Sequence, residues 1–189
     1  MKKLLLLLTL PLMLAACGES YVPKPMGYFR IALPSKEYAW YNAQCPFSFQ
    51  VNDAAKIQLL HEEENPDSCW FNIVYPRLNA TVHCTYLPVN GNFEVLQQEA
   101  YEFAMKHEMK ASAIVRKPVD RPDAHVYGQL YMLKGEAASQ LQFYVTDSLH
   151  HYFRGALYFN SRPNPDSLAP VVEHLRDDII RLTESISWR

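Results

Sequence analysis

A chain of 189 residues with 20 acidic against 18 basic side chains, formal charge −2, has no basic excess to draw it to nucleic acid and no basic stripe for a membrane surface. A hydrophobic content of 49 % with 13 % aromatic residues excludes a disordered chain, which lacks the apolar surface to offset the entropy of ordering. Six glycines and no glycine-rich loop leave nothing to cradle a phosphate, so no cofactor is indicated.

The first element is an export signal. Lys2 and Lys3 precede an apolar run from Leu4 to Leu14, broken only by Thr9 and Pro11, too short for a membrane-spanning helix of roughly 20 residues. Leu14-Ala15-Ala16-Cys17 then reads as a lipobox: residues 1–16 are removed, and Cys17 becomes the lipidated N-terminus with palmitate-type acyl chains. This predicts a bacterial cell-envelope lipoprotein, lipid-anchored to a membrane, with its folded domain in the periplasm. About 173 residues remain, enough for one core. Residues 17–27 are the acylated N-terminus and a tether stiffened by Pro23 and Pro25, and residues 28–189 form a single globular domain.

Tyr28 to Leu33 alternates weakly and ends at Pro34, as an edge strand or extended arm does; residues 35–44 are irregular. Cys45 to Val51, Lys56 to His61, Cys69 to Tyr75 and Asn79 to Leu87 are strand-like runs separated by Asn, Asp, Pro and Glu clusters. With Cys17 committed to lipid, Cys45, Cys69 and Cys84 remain outside the reducing cytoplasm. Cys84 alternates with Val82 and Tyr86 and reads as a buried free thiol. Cys45 and Cys69 each open a strand, and one intervening strand brings both to the same end of a sheet; a Cys45–Cys69 disulfide is predicted, without a Cys-x-x-Cys to suggest redox catalysis.

At Asn92 the period changes. Phe93, Leu96, Ala100, Phe103 and His107 recur at three and four, an amphipathic helix capped by Asn92. A short run at Ala113 to Val115 and a polar loop from Lys117 to Asp123 lead to three meandering strands around Val126 to Met132, Leu141 to Val145 and Phe153 to Phe159. The last helix starts near Asn164, accommodates Pro170 in its first turn and carries the stripe Leu168, Val171, Val172, Leu175, Ile179, Leu182 and Ile186. Seven or eight mostly hairpin-linked strands with two amphipathic helices give an α+β fold, an antiparallel sheet covered by helices.

The candidate catalytic groups do not assemble into a motif. Seven histidines include no His-Glu-x-x-His, and His150 and His151, adjacent in a strand, point to opposite faces, so no metal site is expected. Ser148 lacks a Gly-x-Ser-x-Gly elbow, and Thr146-Asp147-Ser148 suits a turn. Glu62, Glu63 and Glu64 read as a solvated loop. An aromatic face remains: Tyr127, Tyr131, Tyr144, Tyr152 and Tyr158 lie opposite Phe143, Phe153 and Leu157, with Arg154 among them. Either the second helix covers this face and makes it core, since both helices need a surface, or the residues form a partner-binding patch.

Together Pro23-Lys24-Pro25-x-Gly27-Tyr28-Phe29-Arg30-Ile31, Cys45-Pro46-Phe47-Ser48-Phe49, Cys69-Trp70-Phe71-Asn72-Ile73-Val74-Tyr75-Pro76, His107-x-x-Lys110-Ala111, Gln142-Phe143-x-x-Thr146-Asp147-Ser148, Arg154-Gly155-Ala156-Leu157-Tyr158-Phe159, Asn164-x-Asp166-Ser167-Leu168 and Trp188 resemble the gliding-motility lipoprotein GldD family. The resemblance spans nearly the whole mature chain. It implies a non-enzymatic accessory or scaffold protein of gliding motility and the associated type IX secretion machinery, with protein partners there, and it carries no catalytic residues to transfer. The alternative is an envelope-anchored ligand-binding or enzyme-like module of the same fold.

Overall fold

A computed structural model describes residues 31–42, 45–62, 65–161 and 165–189. Cys17, the tether and residues 28–30 of the expected N-terminal strand lie outside them. Ten strands and two helices occur among the described residues: β1 (Tyr38–Tyr41), β2 (Phe47–Asn52), β3 (Lys56–Glu62), β4 (Asn65–Tyr75), β5 (Ala80–Pro88), α1 (Phe93–Met105), β6 (Ala111–Arg121), β7 (Val126–Gly135), β8 (Ser139–Thr146), β9 (His151–Phe159), α2 (Pro165–Ser185) and β10 (Ser187–Trp188). Seven strands form an antiparallel sheet in the order β3-β4-β5-β9-β8-β7-β6, and β1, β2 and β10 form a small second sheet. The fold is α+β in one domain, as the pattern predicts.

The chain path explains where the helices lie. After the β3-β4-β5 meander the chain must reach the far edge strand β6, and α1 makes that crossing over β7, β8 and β9. The meander β6-β7-β8-β9 then returns until β9 pairs with β5, from Ala80↔Phe159 to Pro88↔His151. Helix α2 takes the opposite face and ends in β10, which pairs with β2.

The main core lies between the large sheet, α2 and the small sheet. Phe47, Phe49, Phe71 and Phe153 are each fully buried and pack ring against ring, with Phe47 and Phe153 centroids 4.9 Å apart and Phe71 stacked on Phe153 at 5.8 Å. Offset aromatic contacts of this kind add to the gain from area burial. Val171, Leu175, Ile179, Leu182 and Ile186 of the predicted α2 stripe all reach this core, with Leu168 and Val172 half-buried. Cys45 and Cys69 form the expected disulfide, their Cα atoms 5.5 Å apart. It joins the two sheets rather than one end of a single sheet, because the strand after Cys45 belongs to the small sheet. Cys84 is the buried free thiol, and burial pushes its pKa up.

Several local expectations are corrected. Residues 31–37 carry no strand, whereas Tyr38–Tyr41, within the segment read as irregular, is β1. Strand β6 runs through Lys117–Arg121, expected to be a loop. Pro118 is tolerated there because β6 is an edge strand and a proline lacks only the outward N–H. Asn92 is the N-cap of α1 but makes no side-chain cap bond; its Oδ1 instead accepts the Asn90 N–H at 2.9 Å. Pro170 lies inside α2, past its first turn, where the Asp166 carbonyl loses its helical donor.

Candidate functional site

Alternation on β4, β5, β8 and β9 puts a second set of side chains on the α1 face. Residues paired across the sheet share a face, so Asn72, His83, Ala156 and Gln142 form one row and Trp70, Thr85, Arg154 and Tyr144 the next. Helix α1 seals part of this surface with Leu96, Ala100 and Ala104, over Tyr131, Tyr144 and Tyr152. The rings of Tyr144 and Tyr152 stack at 5.4 Å. The Tyr144 hydroxyl accepts the Gln97 Nε2–H at 2.9 Å, and the Tyr152 hydroxyl donates to the Leu96 carbonyl at 3.0 Å. Burial raises the pKa of both Tyr131 and Tyr152.

This arrangement corrects part of the aromatic-surface reading. Tyr131, Tyr144 and Tyr152 are buried because a helix, α1, lies on them, so they offer no open face. Tyr127, Arg154 and Tyr158 are half-buried; Arg154 and Tyr158, with the edge of Tyr131, instead line a pocket that opens beside the C-terminal end of α1.

The pocket has a volume of about 460 Å³, within the size range of small-molecule sites. Its floor is sheet: His83, Thr85, Gln142, Ala156 and Tyr158 around Arg154. Its wall is Phe103 in the last turn of α1, with Lys106 and His107 in the turn that follows the helix. The Phe103 ring holds two cations, the Arg154 guanidinium 4.4 Å and the Lys106 ammonium 4.7 Å from its centroid, an attraction of cation to ring quadrupole. Neither cation has a carboxylate within ion-pair distance among the described residues. His83 Nδ1 lies 2.7 Å from Asn72 Oδ1 and its ring 5.5 Å from that of Tyr158. Burial holds His107 below the ordinary histidine range. Gly155 follows Arg154 on β9, and a Cβ there would come within 2.4 Å of the Phe143 ring, so glycine leaves room for that ring beside the strand.

Sequence reading found Arg154 and Tyr158 but missed Phe103, Lys106, His107 and His83 as site residues. Phe103 and His107 were placed in the α1 stripe; the buried stripe is Leu96, Ala100 and Ala104, and Phe103 stands at its margin, 37 % exposed. The available signal was Lys106, a cation three residues after an aromatic residue, at the end of the same helix.

The other polar constellations are structural. Asp147 Oδ1 accepts the backbone N–H groups of Leu149 at 3.0 Å, His150 at 2.8 Å and His151 at 2.7 Å, closing the β8–β9 turn in which Ser148 has φ 68°. Asp178, buried on α2, accepts the Tyr38 hydroxyl at 2.7 Å and the Asn52 amide at 3.3 Å, while His174 Nε2 lies 3.9 Å from its second oxygen. Asn52 also donates to the Ser35 carbonyl at 3.0 Å, and Lys36 pairs with Asp177, so residues 35–38 are strapped to α2. Among the described residues no three His, Cys, Asp or Glu side chains are grouped to hold a metal, and no helix is long and apolar enough to cross a membrane.

Residues 18–188 match the family model described as gliding motility lipoprotein GldD. The chain belongs to the GldD family. No curated protein matches it. The GldD match takes in residues 35–38, which are fastened to α2, as well as the pocket residues Phe103 on α1 and Arg154 on β9.

Proposed function

We propose that this chain is a cell-envelope lipoprotein, acylated at Cys17, that serves gliding motility and the associated type IX secretion machinery as a non-enzymatic accessory or scaffold component. The observation that carries the reading is the match to a gliding motility lipoprotein family over residues 18–188. Cys17 follows Leu14-Ala15-Ala16 at the end of a short apolar signal, and acyl chains gain about 0.8 kcal/mol per buried methylene, enough for lasting attachment when two or more are present. The periplasm suits a domain that carries a disulfide. Residues 18–27 set its reach from the membrane, and its partners are proteins of the motility and secretion machinery. The non-enzymatic reading is supported by Asp147, whose carboxylate is committed to three turn amides.

Deletion of the gene, with surface spreading and protein secretion both measured, tests the proposal. Loss of both, restored by the wild-type chain, is the expected result. A deletion strain that spreads and secretes like its parent contradicts it.

A further inference from the structure

We propose that the pocket beside the C-terminal end of α1 binds a small organic anion, a phosphate or carboxylate group carried on a ring-sized apolar body. This goes beyond the accessory role and does not depend on it. The Arg154 guanidinium and the Lys106 ammonium are gathered at one aromatic ring, yet neither has a carboxylate partner among the described residues. The carboxylates of Glu99 and Glu102 stand on α1 nearby; Gln98 donates to Glu102 at 3.0 Å, and neither acid pairs with the two cations. A concave site lined by one sign of charge concentrates counter-ions, and a guanidinium presents its N–H groups in a fork that matches the paired oxygens of a phosphate or carboxylate.

The rest of the lining suits the body of such a ligand. Phe103 and Tyr158 offer ring surface at the rim. Beneath them Gln142 is 7 % exposed, lines the cavity and has no side-chain hydrogen-bond partner among the described residues. Its amide can donate to or accept from a polar group that enters the site.

The test uses the full acylated chain in nonionic detergent, titrated calorimetrically with phenyl phosphate, benzoate, inorganic phosphate and benzyl alcohol. Saturable binding of phenyl phosphate or benzoate is expected, with inorganic phosphate weaker and benzyl alcohol weaker still; the tighter of the two ring anions assigns the anionic group. Arg154→Met should weaken that binding by roughly tenfold or more and Lys106→Met by several-fold, while Lys134→Met, which removes an equal charge from an exposed site outside the pocket, leaves it unchanged. Should Arg154→Met fail to fold, Lys106→Met at the C-cap of α1 and Phe103→Leu within it, both exposed positions, carry the test. No saturable binding of either ring anion, equal binding of benzyl alcohol, or equal weakening by Lys134→Met overturns the proposal.

Discussion

The two faces of the seven-stranded sheet start from the same alternation and end in different chemistry. On one, α2 and the small sheet close over Phe47, Phe49, Phe71 and Phe153, and every one of those rings is dry. On the other, α1 is the only α-helix among the described residues. Its 13 residues extend about 20 Å, whereas seven strands at about 4.8 Å spacing extend roughly 30 Å. One helix cannot cover the width. The surface left over is polar and cationic, and it is there, beside the helix end, that the pocket forms. A fold can therefore place its stability on one side of a sheet and leave the other side partly free for binding.

The largest test of that contrast is a pair of equal truncations. Phe153→Ala, which removes a fully buried ring, should cost about 4 kcal/mol, while Phe103→Ala, at an exposed helix position, should cost about 1 kcal/mol or less. Chemical denaturation of both variants measures the difference, and equal costs would erase the distinction between the faces. Next in size is the link between the two sheets. Replacing Cys45 and Cys69 together by Ala opens a loop with a sequence separation of 24 and should lower stability by about 3 kcal/mol, read as a shifted denaturation midpoint.

How much of this contrast was legible depends on which interactions are local. The α2 stripe and the β7 to β9 meander follow from side-chain period and turn residues, and those elements fell where the pattern put them. The disulfide partners were legible too, because Cys45 and Cys69 each sat at the start of an apolar run. The sheet that β2 joins was not, since its pairing with β1 and β10 is decided by strands 4 and 2 residues long with too little period to register. The pocket was half legible: Arg154 broke an aromatic strand, but its companions on α1 depend on how far the crossing helix reaches. Asp178 and His174, buried on α2, carried no signal because two polar side chains four residues apart on a helix usually mark a solvated face.

Within the α1 face, Tyr144→Phe removes the hydroxyl that accepts from Gln97 and should cost about 1 kcal/mol, leaving the ring stack with Tyr152 in place; thermal melting measures it. The smallest effect is a pH dependence that both faces share. Burial holds His107 and His151 below the usual histidine range, with Asp147 opposing the shift at His151. As pH falls, the unfolded chain takes up these protons first. The stability linked to the neutral rings is therefore fully present above the unfolded pKa of about 6.5 and is lost as pH falls through that value toward the folded ones. At Asp147 burial raises the pKa, but the three turn amides outweigh it and the net shift is downward. That contribution is present above about pH 4 and is lost as pH falls through the lowered folded value. Melting temperature should be level above pH 7, decline below about 6.5, and decline again below about 4; replacing both His107 and His151 by Gln should remove the first decline and leave the second.

The dry face is also where the N-terminal segment of the described chain is fastened. Lys36 and Tyr38 fasten the chain to Asp177 and Asp178 of α2, so the segment that leads back to Cys17 joins the fold on that side, and the pocket opens on the other. The account requires that Cys17 carry lipid. Acyl labelling of the wild-type and Cys17→Ser chains in the native envelope tests this most directly: label on the wild type and none on Cys17→Ser is the predicted result, and label that persists on Cys17→Ser, or is absent from the wild type, contradicts it.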